Sequence, residues 1–261
     1  NTQPVLLTAS IALWRVWLEL GGIAPKYLAG HSLGEYSALV AAEAMTLADA
    51  VKLVHLRGKL MQSAVPQGTG AMAAILGLAD EKVIELCQKV NASAAGQGSV
   101  EAANYNAQGQ VVIAGSTALV QQVMAEAKEQ SGKAIALPVS VPSHCTLMKP
   151  AAEKFAEALE QTAIELPHLP VIQNVNAEIA TDVAQLRQAL TAQLYQSVQW
   201  TRTMQYLQDE GVQYVVECGP GTVLSNLAKR LPNIEKAFAI DSKARMEDAL
   251  NAVLVAEGKI A

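Results

Sequence analysis

Gly30-His31-Ser32-Leu33-Gly34 decides how this chain is read, because it matches a nucleophile elbow, G-x-S-x-G, in both sequence and setting. Tyr27-Leu28-Ala29 before it reads as the end of a short buried strand. Glu35 to Ala44 after it reads as a helix of small residues with no breaker. A strand-to-helix turn of this kind forces the serine into a strained backbone conformation that glycine neighbours permit. Its Oγ then stands exposed at the helix N-terminus, where the dipole favours negative charge and the Leu33 N–H can serve as an oxyanion donor. A bare G-x-S-x-G match arises often by chance; the strand before and the helix after give this one its weight.

A chain of 261 residues can bury a substantial core and suits one large domain, or a large one with a small insert. Hydrophobic residues make up 51% and charged residues only 16%, which fits a globular protein with a large interior. The formal charge of −5 excludes a general nucleic-acid binder, which needs a basic face. The most apolar stretch, Val5 to Leu20, carries Thr8, Ser10, Arg15 and Glu19 and so reads as a buried helix, not a membrane span. No signal-peptide pattern, repeat or low-complexity tract is read. Cys87, Cys145 and Cys218 are odd in number and lack metal-ligand spacing, which points to a reducing cytoplasm.

Working outward from the elbow, Asn1 or Thr2 opens a helix that stops at Gly21-Gly22, and Thr46 with Asp49 resembles a capping box for a helix to about Ala64. After the break at Pro66-Gln67-Gly68-Thr69-Gly70 the pattern changes. Ala71 to Gly77 reads as a strand, Asp80 to Val90 as a helix, and Val100 to Asn106 and Gln110 to Gly115 as paired strands around a Gln108-Gly109 turn. Thr117 to Gln130 reads as a helix and Ala134 to Val139 as a strand. That order, βαββαβ, is the ferredoxin-like arrangement. Beyond it come a helix at Ala151 to Gln161, a strand at Leu169 to Val175 and helices at Asp182 to Leu194 and Trp200 to Glu210. A buried strand, Tyr214 to Glu217, then leads through Gly219-Pro220-Gly221 into a helix from Thr222 to about Arg230. Alternating strands and helices imply a largely parallel sheet covered on both faces.

A serine nucleophile needs a base, and the chain has four histidines. His31 leaves the turn in a different direction from Ser32, His55 lies on the helix after Thr46, and His168 sits between Pro167 and Pro170 in a solvated loop. His144, in Val139-Ser140-Val141-Pro142-Ser143-His144 just past a strand end, is the best base available, against the alternative of a hydrogen-bonded loop histidine. Hydrolases with this elbow place the acid before a late histidine, whereas His144 is mid-chain. A Ser–His dyad follows, its imidazole oriented by a backbone carbonyl or an amide side chain. Arg57 falls within an apolar helical stripe of Leu53, Val54, Leu60 and Met61, where a guanidinium is costly without an anionic partner. It is either an internal ion pair or snorkelling side chain, or a bidentate clamp for a substrate carboxylate.

Several segments together carry a resemblance over essentially the whole chain. They are Gly30-His31-Ser32-Leu33-Gly34-Glu35-Tyr36-Ser37-Ala38, Arg57-Gly58-Lys59-Leu60-Met61-Gln62, Gly68-Thr69-Gly70-Ala71-Met72-Ala73, Pro142-Ser143-His144, Gln193-Leu194-Tyr195, Val198-Gln199-Trp200 and Gly219-Pro220-Gly221. In these the chain resembles the malonyl-CoA:acyl carrier protein transacylase family of bacterial fatty acid synthesis. The resemblance implies that Ser32 becomes malonylated, that His144 is its base and that Arg57 binds the malonyl carboxylate. It implies that Gln193 matches the family glutamine that helps orient the histidine, that Asn106 and Asn174 match asparagines near the pocket, and that Leu33 with Arg57 marks the malonyl-selective members.

The resemblance also implies malonyl-CoA and acyl carrier protein as partners and a monomer in the cytoplasm, with no membrane or nucleic-acid partner and no metal. It implies no cofactor, since the coenzyme A thioester is a substrate and phosphopantetheine is carried by the partner. An acidic carrier meeting a net-negative chain needs a local basic patch, for which Lys133, Lys149, Arg202, Lys229 and Arg230 are candidates. The expected fold is α/β: an α/β-hydrolase-like (patatin-like), largely parallel sheet domain over residues 1–69 and 138–261, with a ferredoxin-like βαββαβ subdomain over 70–137.

Two departures from the family pattern stand out. Asn106-Ala107-Gln108-Gly109-Gln110 lacks the proline of the family turn. The opening Gly-Gln-Gly-Ser-Gln segment, whose first glutamine supplies a backbone oxyanion donor, has no counterpart, so the sequence reads as a fragment of a longer chain. Losing one such donor costs about 10²–10³ in rate. The alternatives are a patatin-like serine esterase or thioesterase, and a catalytically impaired fragment acting as a binding module.

Overall fold

The computed structural model describes residues 1–259 and is an α/β protein of two compact units. The first unit comprises Asn1–His55, Ala163–Ile172 and Thr203–Ala261; the second comprises Leu56–Thr162 and Gln173–Arg202. Among the described residues, no helix is long and apolar enough to cross a membrane.

The first unit opens with helix α1 (Thr2–Glu19) and strand β1 (Leu28–Ala29), followed by α2 (Leu33–Ala41) and the start of α3 (Leu47–Ser63). At the head of α3, the Asp49 amide donates to Thr46 Oγ1 (3.1 Å) and that hydroxyl donates to the Asp49 carboxylate (2.8 Å). Helix α2 ends three residues before the Ala44 that the sequence suggests. The Ala44 and Glu43 amides fold back onto the carbonyls of Leu39 and Val40 (2.9 and 3.1 Å), and Glu43 takes φ 60°. This is a Schellman stop with glutamate in the place glycine usually fills, so no residue type announced it.

The single parallel sheet expected from the alternation is, among the described residues, two separate two-stranded parallel pairs. Strand β1 pairs with β6 (Val171–Ile172), and β7 (Tyr214–Glu217) pairs with β8 (Lys236–Ala239). The strand anticipated over Leu169 to Val175 is cut to two residues because the chain turns at Gln173, whose amide bonds the Glu178 carbonyl (2.8 Å). Strand β8 and the closing helix α10 (Lys243–Ala256) went unread in the sequence. They supply Phe238, Met246 and Leu250, which pack with Ile240, Trp17 and Val216 in one apolar cluster.

The second unit is built on a four-stranded antiparallel sheet. Its chain order is β2 (Gly70–Leu76), α4 (Asp80–Ser93), β3 (Val100–Ala107), β4 (Gln110–Ser116), α5 (Thr117–Glu129) and β5 (Lys133–Ala136), and its spatial order is β3-β4-β2-β5. Each predicted element of this stretch is present to within three residues. Period-two alternation gives the sheet two apolar faces. Ala73, Ile75, Val100, Val111 and Ile113 pack with residues of α4 and α5, among them Val83, Leu86, Val120 and Val123. On the opposite face Met72, Ala74, Ala103, Val112 and Ala114 pack with Cys145 and Leu147. The segment that carries His144 therefore lies on this sheet. Strand β3 is an edge, and the chain around Val198 covers it: Val198 N donates to Ala103 O and Tyr105 N to Val198 O, each at 2.9 Å. Helices α6 (Lys149–Gln161) and α7 (Val183–Ala192) complete the unit, and α8 (Trp200–Asp209) and α9 (Val223–Ala228) follow in chain order.

Candidate active site

Ser32 sits between β1 and α2 with φ 52° and ψ −109°, a conformation that L-residues adopt rarely. The turn closes on itself, with the Gly34 amide on His31 O (2.9 Å) and the Glu35 amide on Ser32 O (3.1 Å). Leu33, the first residue of α2, keeps its N–H outside those two bonds. The motif's two glycines differ. A Cβ on Gly30 would lie 1.9 Å from the Gly34 carbonyl carbon and oxygen and 2.4 Å from the Glu35 nitrogen, whereas one on Gly34 would meet nothing within 4 Å. The close approach of strand end to helix start therefore rests on Gly30. Ser32 and Leu33 belong to the first unit; Arg57, Asn106, His144, Asn174 and Gln193 belong to the second.

Three residues far apart in sequence are joined in the second unit. Gln193 caps the C-terminus of α7, its amide on Ala189 O (2.8 Å). Its own carbonyl lies at a helix end, among the groups that have no acceptor role left inside the helix and carry partial negative charge. His144 Nδ1 lies 2.6 Å from that carbonyl oxygen. A carbonyl only accepts, so Nδ1 carries a proton, and in the neutral ring the lone pair is on Nε2. The imidazole thus has the tautomer a general base requires, set by a backbone carbonyl where triads use a carboxylate. The His144 amide is also fixed, donating to Leu194 O at 3.0 Å, while the residue itself holds φ 62°.

The Gln193 side chain faces a different partner. Its Oε1 accepts from Arg57 Nη2 at 3.0 Å. Arg57 is 1% exposed, among the largest fully buried side chains, and Leu53, Val54 and Met61 on the same helix are buried with it. The apolar stripe read in the sequence is real, and a guanidinium stands inside it. One glutamine therefore holds both His144, through its backbone carbonyl, and Arg57, through its side-chain amide.

The remaining candidates separate clearly. His168 is exposed and pairs with the Glu43 carboxylate at 3.1 Å, and His55 is half-buried on α3. Asn174 is buried, its carbonyl accepting from Gln199 N (2.8 Å), and Asn106 is half-buried near the end of β3. Burial pushes the thiols of Cys87, Cys145 and Cys218 up to about 12, so none is a thiolate nucleophile near neutral pH. Among the described residues, no three His, Cys, Asp or Glu side chains stand close enough to hold a metal ion.

Two supports of the His144 segment were not legible in the sequence. Gly70 brings β2 against it: a Cβ there would lie 2.4 Å from Pro142 Cδ and 2.9 Å from Ser140 O. Glu101 on β3 accepts from Thr146, two residues past His144. In sequence it looks like any solvent-facing charge on a strand.

Residues 1–248 match the family model described as the acyl transferase domain, which sets the class: this is an acyl transferase. The chain is 50% identical over 251 residues to the malonyl CoA-acyl carrier protein transacylase of Salmonella typhimurium, covering 96% of this chain and 80% of that one. It is 45% identical over 251 residues to the transacylase of the same description from Bacillus subtilis, covering 96% and 78%. Among solved structures, a crystal structure of FabD from Acinetobacter baumannii superposes with a TM-score of 0.96 at 88% identity, over 98% of this chain and 81% of that one. A type II PKS acyl-carrier protein in complex with its malonyl-transacylase matches at 47% identity and TM-score 0.92, over 96% and 80%. The chain belongs to the family of malonyl CoA-acyl carrier protein transacylases.

Proposed function

We propose that this chain transfers a malonyl group from coenzyme A to the phosphopantetheine thiol of acyl carrier protein, for fatty acid biosynthesis, through a malonyl ester on Ser32. The observation that carries the reading is Gln193, which holds His144 by its backbone and Arg57 by its side chain. In the first half-reaction His144 Nε2 takes the Ser32 proton as Oγ attacks the thioester carbonyl. Negative charge on the former carbonyl oxygen is met by the Leu33 N–H at the start of α2. The tetrahedral intermediate collapses, the C–S bond breaks and His144 returns the proton to the departing thiolate, giving free coenzyme A and a malonyl-serine ester. In the second half-reaction His144 deprotonates the carrier's thiol, sulfur attacks the ester, and the proton goes back to Ser32 Oγ. Through this cycle Arg57 holds the malonyl carboxylate, with Asn106 and Asn174 beside the acyl group.

The finer architecture fits the same reading. Residues 70–137 form a ferredoxin-like subdomain, supported by the βαββαβ chain order and the β3-β4-β2-β5 strand order. Residues 1–69 and 138–261 then form the patatin-like, α/β-hydrolase-like catalytic domain. The unpaired, buried or half-buried thiols support a reducing, cytoplasmic setting.

The test is a chase. Protein loaded with malonyl-CoA and freed of coenzyme A is mixed with phosphopantetheinylated acyl carrier protein or with buffer. Transfer to the carrier much faster than loss to water supports the transferase. Release of coenzyme A without any protein adduct would point instead to a serine esterase.

A further inference from the structure

On the proposed role of His144 as base, we infer that Glu101 is a positioning residue, clamping the segment that carries His144 so that its imidazole meets the Gln193 carbonyl. Three observations bear on this. First, His144 is held in the left-handed region, φ 62°, which a residue with a Cβ keeps only when its surroundings over-determine it. Part of that restraint comes from the other loop, through the Leu194 and Gln193 carbonyls. The part on the segment's own far side comes from Glu101. Its carboxylate accepts from Thr146 N at 3.2 and 3.3 Å, one distance to each oxygen, and also from Thr146 Oγ1.

Second, β3 holds both partners of the His144–Gln193 bond. Glu101 grips the His144 segment by its side chain. The adjoining backbone grips the chain after Gln193: Ser197 Oγ donates to Ala102 O (2.6 Å), Val198 N to Ala103 O (2.9 Å) and Thr201 Oγ1 to Tyr105 O (3.1 Å). The separation between Nδ1 and its acceptor is thus referred to one strand. Third, the clamp lies outside the apolar cores. Glu101 and Thr146 line an open groove of about 380 Å³ shared with Lys149, Tyr195 and Gln199, so altering Glu101 leaves the packed faces of the sheet intact.

The experiment measures the single-turnover rate of Ser32 acylation by malonyl-CoA in the full chain. The variants are Glu101→Ala, Glu101→Gln, His144→Ala and the double variant His144→Ala/Glu101→Ala. A mispositioned base costs up to about 10²-fold, so Glu101→Ala should slow acylation roughly 10- to 100-fold with KM nearly unchanged. Glu101→Gln, which keeps an acceptor oxygen for Thr146, should recover most of the rate. Because Glu101 acts only through His144, the double variant should be no slower than His144→Ala. If Glu101→Ala does not fold, Thr146→Val, which removes one donor of the clamp, carries the same comparison. Wild-type acylation by Glu101→Ala would overturn the inference. So would a Glu101→Ala loss that persists in full on the His144→Ala background, the mark of a general structural effect. Undiminished acylation by His144→Ala alone is a different result: it would overturn the assignment of the base, and the inference with it.

Discussion

Replacing each glycine of the elbow with alanine separates what the motif needs from what it merely contains. In Gly30→Ala the new Cβ would lie 1.9 Å from the Gly34 carbonyl carbon and oxygen, about 1.1 Å inside the 3.0 Å approach that real Cβ atoms respect. Those atoms are backbone at the start of α2, so relief requires the helix start or the strand end to move by about an ångström. Forced overpacking of this kind costs roughly 1–3 kcal/mol or more. A shift of that size at the nucleophile costs up to about 10²-fold in rate. In Gly34→Ala the Cβ enters open space within α2, and exchanging glycine for alanine inside a helix stabilises by roughly 0.5–1 kcal/mol. The two variants, four residues apart, should therefore move stability in opposite directions. Denaturant midpoints give the stability difference, and intact-protein mass after a short exposure to malonyl-CoA gives the acylation rate. A Gly30→Ala protein as stable and as readily acylated as wild type would refute the steric argument, as would a Gly34→Ala protein destabilised to the same degree.

Other consequences follow from the Arg57–Gln193–His144 arrangement and from the approach to the elbow. Arg57→Ala should slow malonyl loading roughly 10- to 150-fold more than acetyl loading, the worth of a hydrogen bond to a charged group at about 1.5–3 kcal/mol; equal losses with both acyl groups would count against a carboxylate clamp. Gln193→Ala keeps the backbone carbonyl that accepts from His144 but removes one acceptor of Arg57, so it too should depress malonyl loading more than acetyl loading, and a larger acetyl loss would contradict the division of labour. Just before β1, Tyr27 Oη donates to the Glu210 carboxylate at 2.6 Å, which pushes the phenol up to about 12 and holds the carboxyl below its ordinary range. The bond's stabilisation is then complete below the ordinary phenol value of 10.0 and fades as pH rises through about 12. From the carboxylate side it fades as pH falls through the depressed carboxyl value. Tyr27→Phe should erase the alkaline part of this dependence, and an ultraviolet titration showing Tyr27 ionising like a free phenol would refute it.

Much of this was legible in the sequence, for reasons that differ by region. The βαββαβ stretch was readable because each element has its own period and its own punctuation, from Gly68 and Gly70 to the turn at Gly109. The early stop of α2 was not, because Glu43 occupies the left-handed position without a glycine to mark it. The parallel sheet was over-read: alternation of strands and helices states which elements exist, not how many residues of each find ladder partners, and β1 and β6 keep two each. At the site, Arg57 announced itself as a charge within an apolar stripe, and His144 by elimination among four histidines. The acceptor of His144 could only be named as a class, since a backbone carbonyl has no residue type to recognise. Glu101 was invisible for a related reason, because its meaning lies in a contact 45 residues away with Thr146.

In the proposed reaction Ser32 carries the acyl group. The direct measurement is tandem mass spectrometry of peptides from protein quenched seconds after mixing with malonyl-CoA. A malonyl adduct on Ser32 in the wild-type chain, and none on the corresponding peptide of Ser32→Ala, is the predicted result. An adduct of equal yield on any other residue, or one that forms undiminished in Ser32→Ala, would rule Ser32 out as the nucleophile.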